Sequence, residues 1–182
     1  MNERREPEWF DRWEPSDAWE PWTPSATDRW DFAKSAHLHR RAGFAAAWNV
    51  IEADATRPHQ DVIAGLLASD GSETAVRNRE ADQNTGQILA AAGDSRRLAA
   101  WWLLRMVHST EPALERLTLF WHGHFATSAE KVPETNLMWR QYLSLRRLAW
   151  GPFRDLVQEI SRDPAMLIYL DARDSRKAKP NE

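Results

Sequence analysis

Two histidines flank a glycine at His122-Gly123-His124, and Glu115 stands seven positions upstream. Imidazole and carboxylate are ligand types that hold zinc or iron. A metal held this way activates water or polarises a substrate, with His122 and His124 as ligands and Glu115 as a further ligand or the general base of a hydrolase. Spacing restricts the idea. On a continuous helix, seven residues return to nearly the same face ~10 Å along the axis, whereas i and i+2 side chains point ~200° apart. A shared metal therefore requires a helix break at Gly123. In the alternative reading both histidines cap or hydrogen-bond a helix end, while Trp121 and Phe125 pack in the core.

His37 and His39 pose the same i, i+2 problem, and Arg40 and Arg41 follow directly. The arginine pair could hold a carboxylate or phosphate, or simply form salt bridges and complement a helix C-terminus. Arg96-Arg97 and Arg146-Arg147 read as solvated helix faces. With a formal charge of −3, the chain lacks the sustained basic surface that nucleic acid requires. No glycine-rich phosphate loop is present, and neither Ser109 nor Ser128 lies in a nucleophile-elbow context. Trp101-Trp102 suits core and boundary packing, or else a sugar platform. The chain has no cysteine, which excludes disulfides, zinc–thiolate sites and iron–sulfur clusters.

These side chains must be positioned by helices. Period-3.6 patterns run through residues 32–42, 45–55, 58–67, 75–92, 95–108, 112–125, 135–149 and 153–162, with a last turn ending near Tyr169. The expected fold is all-α, an irregular bundle of roughly seven or eight helices. Gly43 is expected at a left-handed C′ position, and Gly93 ends the fourth helix. Asp94 and Asp163 are expected N-caps. Trp48 and Ile51 are expected to be buried together, as are Leu98, Trp101, Trp102, Arg105 and Met106 on one broad face. Residues 69–74 read as a loop. No run has strand alternation with hairpin punctuation.

Residues 1–30 differ from the rest. Trp9, Trp13, Trp19, Trp22 and Trp30 alternate with Pro7, Pro15, Pro21 and Pro24, and nine acids oppose four bases over residues 1–31. Proline at this density favours extended backbone, and five tryptophans imply packing on the chain's own domain or docking to another protein. Three regions are expected: an acidic tail over 1–30, a helical domain over 31–170 and a charged tail over 171–182. No apolar h-region and no membrane-length apolar run occurs, so a cytoplasmic location is the default.

The strings HLHRRAGF (37–44), AWWLLRM (100–106), ERLTLFWHGHFATSAEKV (115–132), DPAMLIYLD (163–171) and RKAKPNE (176–182) resemble a large bacterial family known as domain of unknown function number 1800. The resemblance runs from about Trp30 to the last residue. It implies a mainly helical fold within a longer domain, in which the Pro-Asn-Glu motif leads into a further acidic helix. On that resemblance the chain is truncated, and carboxylates completing a site with His122 and His124 would lie beyond Glu182. Relatives are often encoded beside a second, sulfatase-like family, which implies a protein partner. Many carry export signals, which leaves localisation open.

Two functions follow as expectations: a metal-assisted enzyme, inactive in this shorter form, or a non-catalytic helical module that binds a partner protein or polymer. A third is that the short chain has no activity alone and exposes apolar surface.

Overall fold

Helix capping begins the body of the molecule. In the computed structural model, which describes residues 16, 19–69, 71–172 and 175–177, the Asp31 carboxylate accepts the Lys34 backbone N–H at 2.9 Å and starts α1, Phe32–Ala42. Then follow α2 (Trp48–Ala55), α3 (His59–Leu67), α4 (Glu73–Ala91), α5 (Ser95–His108), α6 (Pro112–Phe125), α7 (Thr135–Leu148), α8 (Phe153–Ile160) and α9 (Pro164–Tyr169). Among the described residues there is no strand, so the fold is all-α. No helix among them is long and apolar enough to cross a membrane.

The chain divides into two compact units, residues 1–30 and 31–182. In the first, the Trp22 indole N–H donates to Asp28 at 2.6 Å and the Trp22 and Trp30 rings lie 6.4 Å apart. Trp9 and Trp13 lie outside the described residues, and Trp19 is exposed.

In the second unit α7 is the hub, packing against α4, α5, α6, α8 and α9, while α1 and α3 pack on α6 and α2 packs on α1 and α3. Asp94 and Asp163 cap α5 and α9 through the backbone N–H groups of Arg97 and Met166. Asp163 itself is buried, which pushes its carboxyl up, although the Met166 N–H and the Gln141 amide oppose this. Where α7 meets α8 and α9, Leu145, Leu156, Ile160 and Met166 form an aliphatic cluster.

Several local expectations need correction. Gly43 is not left-handed (φ −148°); a Cβ there would lie 3.0 Å from Pro112 Cβ, so glycine serves the close approach of α1 to α6. The left-handed residue is Ala45, at φ 76°. Trp48 is 69% exposed, its ring resting on Phe32 at 4.3 Å, while Ile51 alone of that pair is buried. The fourth helix starts at Glu73, because Ser72 accepts the Ala75 N–H and caps it inside the expected loop. Gly93, at φ 73°, fits the C′ role.

Candidate functional site

Glu115 is 0% exposed, which demands that its charge be matched. One carboxylate oxygen accepts from Arg105 Nε at 2.7 Å and Arg146 Nε at 2.8 Å. The other accepts from Tyr142 Oη at 3.2 Å and Trp102 Nε1 at 3.3 Å. Four donors from α5 and α7 thus converge on one α6 carboxylate. The Arg146 guanidinium also donates to Glu111 at 2.6 Å, and Arg105 to Asp82 at 3.1 Å. Glu111 is further held by Ser69 and lies 3.8 Å from Arg79. The ionic centre therefore ties the loop before α4, and α4 to α7, together.

The titration of these groups reports the same competition. Burial alone would raise the Glu111 carboxyl, but Ser69, Arg146 and Arg79 outweigh it and hold the group below its ordinary range. Burial would lower Arg146, yet the hydrogen bond and charge of Glu115 raise it. Burial first and the Glu115 charge second push the Tyr142 phenol up, so it stays a donor to Glu115.

Beside this centre lies an aromatic cleft of about 280 Å3. Its walls include Trp101 and Trp102 from α5, Met138, Trp139 and Tyr142 from α7, and His122 from α6. The rings meet edge to face, Trp101 with Trp139 at 5.2 Å and Trp102 with Tyr142 at 5.0 Å, the arrangement favoured by their quadrupoles. Gly86 makes room for this packing, since a Cβ there would fall 2.5 Å from the Trp139 ring. His122 lies edge-on to Trp102 at 5.3 Å, and burial lowers its pKa, favouring the neutral imidazole. No Asp, Glu, Lys or Arg lines the cleft.

The sequence-derived site residues are not brought together. Helix α6 runs unbroken through Gly123 to Phe125. His122 faces the cleft, whereas His124 is exposed and packs near Trp121 and Phe153, at 5.8 and 6.2 Å. Among the described residues no three His, Cys, Asp or Glu side chains are grouped as a metal requires. Arg40 and Arg41 are exposed, and neither forms an ion pair among the described residues. His37 is exposed, while His39 is buried against Asp54.

Arg146 corrects the solvated-face expectation: its side chain is largely buried in the ionic centre, while Arg147 is exposed and pairs with Glu159. The roles of Arg105, Arg146, Tyr142 and Glu111 were not assigned from sequence. One signal was present, because Arg105 falls inside the apolar stripe of α5, and an arginine there requires a buried carboxylate.

Fold and site together define an all-helical protein organised around a buried Arg–Glu–Arg centre. The chain belongs to the family described as Protein of unknown function (DUF1800), whose model matches residues 37–182. No curated protein and no solved structure matches it.

Proposed function

We propose that the helical unit is a binding module whose aromatic cleft receives an uncharged, ring-bearing group from a partner. The observation that carries this reading is a cleft walled by three tryptophans, a tyrosine and a methionine with no charged lining residue. Such a surface rewards apolar rings, and although the Ser95, Thr127 and Ser128 hydroxyls also line it, it offers no charge to offset the desolvation of an ion. His122, kept neutral by burial, supplies a polar edge. The sulfatase-like protein implied by the family resemblance is the first partner to try. Fluorobenzene observed by 19F NMR tests the cleft. Binding to the wild-type chain and its loss in Ala99→Trp, which fills the space, is the expected result; equal binding by both contradicts the reading.

A metal-assisted hydrolase is a second reading, favoured by the neutral state of His122, the form that ligates a metal. It needs ligands in addition to His122, and unwinding at Gly123 if His124 is to join. Glu115 would have to leave its four donors to act as a base. Elemental analysis of purified protein tests it: stoichiometric zinc or iron that is lost in His122→Ala supports it, and metal retained in that variant contradicts it.

A further inference from the structure

A separate groove of about 770 Å3 lies where α1, α2 and α3 meet the corner between α5 and α6. His39, Asp54 and Arg57 contribute to it from one side, and His108, Ser109 and Thr110 from the α5–α6 corner. His39 is only 6% exposed. Its Nε2 lies 2.9 Å from Asp54 Oδ2, and the other oxygen of Asp54 accepts from Arg57 Nη1 at 2.8 Å. A carboxylate can only accept, so Nε2 carries the hydrogen and Nδ1 of the neutral ring carries the lone pair. Among the described residues the His39 ring has no hydrogen bond other than the one to Asp54, and the residue lines the groove.

An imidazole oriented by a carboxylate on one nitrogen and open at the other is the arrangement of a general base. We propose that this groove is an acid–base site, in which His39 Nδ1 takes a proton from a hydroxyl group or water bound there. The O–H bond breaks, an N–H bond forms at Nδ1, and the oxygen keeps the electron pair. The resulting imidazolium is stabilised by Asp54, whose second oxygen stays with Arg57; the proton leaves by the reverse step. The ligand class is a hydroxyl-bearing molecule, or an electrophile attacked by the activated water. This inference does not depend on the aromatic cleft.

Diethyl pyrocarbonate acylates neutral imidazole nitrogens that it can reach, and peptide mass spectrometry locates the adducts. Exposed His37, two residues away, is the internal reference. In the wild-type chain at neutral pH, His39 is expected to be acylated while His37 is being consumed. Asp54→Asn is expected to slow His39 by about threefold or more and leave His37 unchanged. A His39 left unmodified while His37 is consumed would mean a sealed core histidine and overturns the proposal. So does a folded Asp54→Asn chain with an unaltered His39 rate. Should that variant not fold, the wild-type rate alone decides.

Discussion

Helix α7 joins two interiors of opposite character. Toward α5 and α6 it contributes Arg146 and Tyr142 to a buried carboxylate, and toward α8 and α9 it contributes Leu145 to an aliphatic cluster. Glu115 and the aliphatic cluster are both buried, but the two regions hold the fold in different ways. Hydrocarbon packing is non-directional and tolerates substitution by shape. The ionic centre depends on specific partners: with every member present its charges are matched, and with one missing a buried charge is abandoned. The ionic centre therefore resists change without contributing correspondingly to stability.

The largest expected effect breaks that contrast at its centre. Glu115→Ala leaves Arg105 and Arg146 facing each other without their carboxylate and should cost about 3–5 kcal/mol in denaturant unfolding. Replacing all three with Met or Leu of similar volume should recover only part of that loss, because Glu111 then lacks Arg146 and the Tyr142 and Trp102 donors lack their acceptor. In the aliphatic region Leu156→Ala should cost about 2–4 kcal/mol through the cavity it leaves, and no second-site change of charge should recover it. Gly86→Ala is smaller, about 1–3 kcal/mol, because the new methyl displaces the Trp139 ring. It should also weaken ring binding in the cleft.

Much of the fold is legible in the residues, and much of the site is not. Asp94 and Asp163 each precede a periodic apolar run, and capping is a local rule read within four residues. Leu156 and Ile160 share one face of a helix by spacing and are buried together. By contrast, Glu115 meets Arg146 across 31 positions, and no local pattern announces such a pairing. The His122-Gly123-His124 string drew attention because ligand types adjoin in sequence. Yet glycine costs a helix only about 1 kcal/mol, and α6 continues through it, so proximity along the chain became divergence in space. Trp48 misled for a related reason, as helical spacing gives the face but not the neighbour that would cover it.

The smallest effects are in pH dependence, and they separate the regions again. His122 has its pKa lowered by burial, so below ~6.5 the unfolded chain takes up a proton before the folded one does. Wild-type stability should therefore fall as pH drops below that value, and His122→Gln should flatten the slope over that interval. Glu111, lowered in the folded state, contributes stability above its ordinary value of 4.5 that is lost as pH falls through the folded value. Glu111→Gln should remove that part of the acid transition, while Leu156→Ala should shift the whole curve without changing its shape.

In the function proposed above, Glu115 and its donors are framework, and the adjoining aromatic cleft is the place where a ligand sits. A crystal structure of the protein soaked in indole tests it most directly. Ring density enclosed by Trp101, Trp102, Met138 and Trp139 is expected, with Glu115 still holding Arg105 and Arg146. An empty cleft, or a ligand seated on a Glu115 freed from those arginines, would contradict it.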